Sequence, residues 1–257
     1  MGGRLEGKVA IVTGGGSGIG RAIALGFATE GASVVVADVN VEGAQAVAGE
    51  IGANAIEVRC DVSQAADADA MVKATLDRFG RVDILVNNAG RARGNLGGVN
   101  VNLLVSRMAD EDWDTVFATN VRGTFLCSRA VLQHMIPQKS GVIINTASGL
   151  GMRSRPGAAA YGASKAAVIH FTQTLAMEVA RYGIRVNAFT PGVTDTPFWR
   201  AARTELEIEQ AYKDGVVGKP EDLVPTVIFL ASDAGREISG VTIPREIYVK
   251  HFDGGTP

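Results

Sequence analysis

Short apolar runs rich in Val and Ile recur along the chain, with helical patterns between them. They fall at Val9–Val12, Ser33–Ala37, Ala55–Val58, Ile84–Val86, Gly141–Asn145, Arg185–Phe189 and Val241–Ile243. Runs that are continuously apolar, rather than alternating, mark strands covered on both faces. The segments Arg21–Glu30, Ala65–Phe79, Asp114–Met135 and Ala163–Tyr182 are long enough to be helices. This alternation predicts an α/β fold, a doubly wound parallel sheet of about seven strands with helices on both faces. Right-handed crossovers then place a ligand crevice at the carboxyl ends of the strands. Two stretches break the rhythm. Gly90–Ala109 is long, glycine- and asparagine-rich and weakly periodic, as functional loops often are. The tail Gly240–Pro257 is irregular, and Pro244-Arg245-Glu246 interrupts what would otherwise be a plain terminal strand.

Composition narrows the class. The chain has 257 residues, 46% of them hydrophobic, and no Pro/Ser-rich linker divides it, so residues 1–257 read as a single domain. A formal charge of -2 gives no electrostatic reason to expect nucleic acid or an acidic membrane as a partner. No apolar run approaches the roughly 18–20 residues of a membrane span. The opening MGGRLEGK lacks a secretory apolar core. Cys60 and Cys127 lie in unrelated segments, and the three histidines form no ligand-spaced cluster. A cytoplasmic protein without a disulfide framework or structural metal is expected.

The chemistry begins at Thr13–Gly20, a TGGGSGIG turn that follows the first strand and opens a helix at Arg21. That is the context of a dinucleotide-binding turn, although the literal G-x-G-x-x-G spacing is absent. Gly14 can turn sharply, Gly18 admits a close pyrophosphate, and Gly20 permits close helix packing. With Ser17 and Ile19 they present the helix N-terminus to phosphate charge. Asp38 ends the second strand, where a carboxylate can accept bonds from the adenosine ribose hydroxyls and would repel a 2′-phosphate. Neither Val39 nor Asn40 offers a compensating cation, and NAD is therefore favoured over NADP. Asp61 and Val62, after the third strand, are placed to hold the adenine ring. Plainer roles stay open: a ligand-free glycine turn, and helix-capping at Asp38 or Asp61.

Further on, Asn120, Ser148, Tyr161 and Lys165 complete a set of residue types that suits alcohol oxidation. Tyr161 and Lys165 stand four apart, on one face of a helix. A free phenol titrates near 10, too high for an efficient base at neutral pH. An ammonium one turn away, together with a positive nicotinamide ring, would favour phenolate, a change worth roughly 3–4 kcal/mol. The plainer alternatives are a core tyrosine, a snorkelling lysine and a helix-kinking amide.

Taken together, T-G-x-x-x-G-I-G at Thr13–Gly20, Asp61, N-N-A-G at Asn87–Gly90, Asn120, Ser148, Y-x-x-x-K at Tyr161–Lys165 and P-G at Pro191–Gly192 resemble the short-chain dehydrogenase/reductases, of the single-domain type. The resemblance covers nearly the whole chain and implies a Rossmann-like fold. It implies Tyr161 as acid/base, Lys165 also on the nicotinamide ribose, Ser148 on the substrate oxygen, and Asn120 anchoring a water beside Lys165. It also implies that Asn88, Ala89 and Gly90 flank the cofactor and that Pro191, Gly192, Val193 and Thr194 meet the nicotinamide carboxamide. Thr196-Pro197 reads as a helix cap and first position.

The expected activity is NAD-dependent interconversion of a secondary alcohol and a ketone. The alternatives are an NADP-dependent 3-oxoacyl-thioester reductase and a catalytically silent nucleotide-binding scaffold. Three stretches, 91–109, 149–160 and 194–215, are expected to line the substrate pocket. They carry Arg91, Arg93, Arg153, Arg155, Phe198, Trp199, Arg200 and Arg203. Arginines there could hold an anionic group, which leaves an anionic substrate as the lesser alternative. Resemblance further implies a homotetramer, with a dimer as fallback, joined through the helices holding Asp114–Met135 and Ala163–Tyr182.

Overall fold

The computed structural model describes residues 3–92, 103–201 and 203–245. One sheet of seven strands runs in the order β3-β2-β1-β4-β5-β6-β7, and every neighbouring pair is parallel. The strands are β1 (Val9–Thr13), β2 (Ser33–Asp38), β3 (Ala55–Arg59), β4 (Ile84–Asn87), β5 (Gly141–Thr146), β6 (Ile184–Thr190) and β7 (Thr242–Pro244). The helices between them are α1 (Gly18–Thr29), α2 (Val41–Ile51), α3 (Ala65–Phe79), α4 (Asp110–Phe117), α5 (Gly123–Gln138) and α6 (Ala159–Val179). After β6 come α7 (Pro197–Arg200), α8 (Glu205–Lys213) and α9 (Val224–Ala231).

The inner strands are apolar because both faces are covered, whereas the edge strands β3 and β7 stay partly exposed. Val12, Val34, Val36 and Ile144 pack on one side with Ile23, Phe27, Val227 and Leu230. Ile11, Val35, Leu85 and Ile143 pack on the other with Met71, Val131, Met135 and Leu175. Successive residues of a strand point to opposite faces, so both must be apolar. Chain order runs outward from β1 to β3, then returns to place β4 on the other side of β1. Loops diverge there, and the crevice opens at the carboxyl ends of the strands.

The structure departs from the expected elements in three places. Asp114–Met135 is not one helix, because a wide π-type turn at Ala118–Arg122 separates α4 from α5. Helix α6 starts at Ala159 and is followed by a tight 3₁₀ turn at Ala180–Tyr182. The last strand sits one residue later than expected and ends on Pro244, which has no amide hydrogen to extend the ladder. Residues 93–102 of the irregular loop, Arg93 among them, and tail residues 246–257 lie outside the described residues. No helix among the described residues is long and apolar enough to cross a membrane.

Candidate active site

The glycine turn joins β1 to α1. Gly14 and Gly18 have φ of 63° and 52°, the left-handed region where a side chain is strained. A Cβ on Gly20 would stand 2.1 Å from the Gly14 carbonyl oxygen and 2.6 Å from Asn88 Nδ2, so only glycine lets the helix begin this close to the turn. Asn88 holds the turn from the next strand: its Nδ2 donates to the carbonyls of Thr13 (3.0 Å) and Gly14 (3.2 Å). The amides of Asn88 and Ala89 both donate to Thr13 Oγ1 at 3.1 Å. Ser17 stands at the start of α1 with its side chain making no capping bond.

Asp38 does not cap α2; Asn40 does, accepting from the Gly43 amide. Instead Asp38 Oδ2 accepts from the Gly16 amide (2.9 Å) and Oδ1 from the Asn40 amide (2.9 Å). The carboxylate is thereby pinned between the glycine turn and the end of β2. Asp61 is not the residue flanking α3 either, since that helix opens at Ala65 after Gln64. Its Oδ1 accepts from Ser63 N (3.0 Å) and Ser63 Oγ (2.7 Å), shaping the turn before α3. The two cysteines, remote in sequence, meet behind this end. Contact with Cys60, then burial, pushes the Cys127 thiol well up.

The chemical end gathers on β5, α6 and the turn between α4 and α5. Ser148 follows β5, and its Oγ accepts the Leu150 amide at 3.2 Å. Tyr161 lies in the first turn of α6, beside Ser148, whose side chain favours the ionised phenol. Lys165, one turn further, is 4% exposed, and its Nζ donates to the Thr146 carbonyl at 2.6 Å. That Nζ lies 5.9 Å from the centre of the Tyr161 ring. The protein's own groups do not by themselves give the expected acidified phenol. Burial pushes the phenol above its ordinary value, with Ser148 pulling the other way. Burial also draws Lys165 down to about 8. Desolvation outweighs the ammonium because that charge is turned towards a backbone carbonyl.

Asn120 sits inside the π-type turn, 1% exposed. Its Oδ1 accepts the Arg91 amide at 2.7 Å, while Nδ2 donates to the Arg91 carbonyl (2.9 Å) and to Ser164 Oγ (3.0 Å). Ser164 Oγ in turn donates to the Tyr161 carbonyl at 2.7 Å. The amide in the kink thus also ties the Arg91 backbone to α6. Gly90 completes the contact, since a Cβ there would be 3.5 Å from Lys165 Nζ and 3.6 Å from Asn120 Oδ1.

Pro191, Gly192, Val193 and Thr194 follow β6. Thr194 Oγ1 donates to the Pro191 carbonyl (3.0 Å), and the Gly218 amide to the Val193 carbonyl (2.9 Å). A Cβ on Gly18 would meet Thr196 Cγ2 at 3.0 Å, so this loop faces the glycine turn across the crevice. Thr196 caps α7 through the Trp199 amide (3.1 Å), with Pro197 at the first position as expected. Arg200 turns away into a paired contact with Asp195, at 2.5 and 2.8 Å, which Tyr212 also joins. Arg91, Arg153, Arg155, Phe198, Trp199 and Arg203 line the same cleft of about 1000 Å³ as Gly14, Gly18, Ile19, Val62 and Ser148.

A buried polar chain that the sequence reading did not include links β4, α5, β5 and α6. Asn87 Nδ2 donates to Ser128 Oγ (3.0 Å) and Asn145 Oδ1 (2.9 Å), and Asn145 Nδ2 to Thr172 Oγ1 (2.9 Å). Its signal was present: an asparagine near the end of each of two apolar strands, where an unpaired amide would be costly.

Comparison with known proteins agrees with this geometry. A family model described as short chain dehydrogenase matches residues 8–207. A 3-oxoacyl-[acyl-carrier-protein] reductase of Synechocystis is 44% identical, over 98% of this chain and 97% of its own length. The (2S)-[(R)-hydroxy(phenyl)methyl]succinyl-CoA dehydrogenase subunit BbsD of Thauera aromatica is 37% identical, over 92% and 94%. Among solved structures, a 3-ketoacyl-(acyl-carrier-protein) reductase from Brucella melitensis, complexed with NADH, superposes with a TM-score of 0.85. It is 39% identical, covering 93% of this chain and 97% of its own.

Proposed function

The chain belongs to the short-chain dehydrogenase/reductase family, and we propose that it interconverts the 3-oxo and 3-hydroxy forms of an acyl thioester with NAD(H). The observation that carries the chemistry is the convergence of Ser148 and Tyr161 on one cleft, with buried Lys165 one turn away. The relatives' names, all of acyl-thioester enzymes, favour the thioester reading over a plain alcohol dehydrogenase.

The residues fit a dinucleotide. Gly14, Ser17, Gly18, Ile19 and Gly20 would meet the diphosphate at the N-terminus of α1. Asp38 uses one bond on each oxygen, which leaves lone pairs for the ribose hydroxyls and a charge that disfavours a 2′-phosphate. Asp61 and Val62 would flank the adenine, and Asn88, Ala89 and Gly90 the middle of the cofactor. Tyr161 and Lys165 would hold the nicotinamide ribose, and Pro191–Thr194 the carboxamide. When bound, the nicotinamide supplies or accepts hydride.

The protein's own groups manage the proton. Ser148 Oγ already accepts the Leu150 amide, so its hydrogen is directed to the phenol or to a substrate oxygen. Burial keeps the Tyr161 proton in place at neutral pH, ready for the oxygen of a carbonyl being reduced. Lys165, titrating near about 8, is cationic at pH 7 and offsets the phenolate charge that transfer leaves. Asn120 acts as a positioning residue that ties α6 to the Arg91 backbone.

Assembly follows from α5 and α6, whose outer faces form a groove of about 460 Å³ lined by Phe125, Leu132, Ile136, Phe171 and Leu175. An apolar groove of this kind suits a second copy, and a homotetramer remains the reading, with a dimer as fallback.

The test is reduction of an acetoacetyl thioester with NADH and with NADPH. A kcat/KM at least about tenfold higher with NADH is expected, one carboxylate–phosphate repulsion being worth about 1.4 kcal/mol or more. Equal or better use of NADPH would overturn the cofactor assignment. Oxidation of simple alcohols without thioester turnover would restore the broader alcohol–ketone activity.

A further inference from the structure

The cleft carries donors that proton and hydride transfer leave unused. Trp199 is 7% exposed and lines the cleft, yet its Nε1–H has no partner among the described residues. The Arg155 Nε–H, on another cleft-lining residue, is buried and unpartnered in the same way. An unpaired buried donor costs about 1–3 kcal/mol, so a side-chain turn that brought either one to an acceptor in the cleft would be favoured. Arg203 adds a third cleft-lining donor group, its guanidinium 4.5 Å over the Trp199 ring and bonded to the Trp199 carbonyl.

Charge is segregated along the cleft. Its lining carboxylates among the described residues are Asp38 and Asp61, both on the adenosine side, whereas Arg91, Arg153, Arg155 and Arg203 come from the substrate loops. Arg155 and Arg203 lie close enough to repel each other. Glu207 offsets part of the Arg203 charge, but its carboxylate also accepts the Thr204 amide (2.8 Å) and hydroxyl (3.1 Å). Arg200, by contrast, is fully engaged by Asp195.

We propose that Arg155, Trp199 and Arg203 form a subsite for an anionic oxygen group carried by the substrate. Only donors are present, two of them guanidinium forks, and their complement is an acceptor-only group, a carboxylate or phosphate. As a statement about substrate this rests on the thioester reading; as a statement about binding it does not. The anion has two possible sources: a second acid group on the acyl chain, or the phosphate of the thioester carrier.

Two measurements test it. In Trp113→Phe protein Trp199 is the remaining tryptophan, and its fluorescence is titrated with glutarate, inorganic phosphate and neutral glutaramide at constant ionic strength. Saturable change with an anion and none with glutaramide is expected, weakened at least about tenfold by Arg155→Met and by Arg203→Met. In turnover, 3-oxoacyl N-acetylcysteamine thioesters ending in carboxylate or methyl are compared, then pantetheine against phosphopantetheine carriers. A preference of about tenfold to hundredfold that collapses in Arg155→Met identifies the source, acyl carboxylate in the first pair and carrier phosphate in the second. Equal responses to glutarate, phosphate and glutaramide would overturn the subsite, as would a preference that survives both substitutions. If no thioester is turned over, the functional reading fails and the titration alone decides the subsite. Melting temperatures check folding, and Arg155→Gln replaces any variant that does not fold.

Discussion

Lys165 is 4% exposed, and burial draws its pKa from the ordinary 10.5 to about 8. The unfolded chain therefore holds a proton that the folded protein lacks between about pH 8 and 10.5. Folding stability from this group must rise with pH across that window, and the cost of the buried ammonium, about 3 kcal/mol, is fully present below it. The lysine is thus kept at the expense of stability, as expected of a functional cation. Lys165→Met is predicted to be at least as stable as the parent at pH 7 in urea denaturation. Its advantage should shrink towards pH 10, and its turnover should fall at least about 100-fold. A variant markedly less stable at pH 7 would mean that the bond to Thr146 outweighs the desolvation.

At the level of elements, the break between α4 and α5 does what neither helix could do alone. The π-type turn brings Asn120 against the Arg91 backbone and Ser164, joining the loop after β4 to the turn of α6 that carries Tyr161. Asn120→Ala should lower stability by about 1–3 kcal/mol in denaturant, because the Arg91 amide and carbonyl lose their partner. Loss of turnover should exceed what that destabilisation explains; full activity would remove Asn120 from a positioning role. The break was not legible in the sequence, since its causes lie far from Asn120 along the chain. The strands were legible because burial on both faces leaves a continuous apolar run, and Ala65–Phe79 matched to the residue. The glycine turn and the Tyr161–Lys165 pair were legible as spacing. The direction of the Tyr161 shift was not, because spacing reports neighbours and says nothing of how much water has been removed. The Asp38 and Asp61 contacts likewise depended on which amides the folded turns present.

Across the whole molecule, one sheet sets the polarity of the cleft. The end of β2 and the loop after β3 bring carboxylates to one end, and the loops after β5 and β6 bring arginines to the other. Helices α5 and α6 serve two purposes, carrying or bracing the site on their inner faces and offering an apolar groove outside. Phe125, 44% exposed on that groove, is the residue to perturb. Phe125→Glu should shift the protein towards monomer in light scattering, whereas unchanged mass would place the subunit contact elsewhere. Everything in the cleft converges on one half-buried phenol. The most direct measurement is therefore single-turnover reduction of a 3-oxoacyl thioester by NADH in Tyr161→Phe, alongside NADH binding to the same variant. The predicted result is a rate lowered at least about 100-fold with binding retained; a rate within a few fold of the parent would contradict Tyr161 as the proton donor.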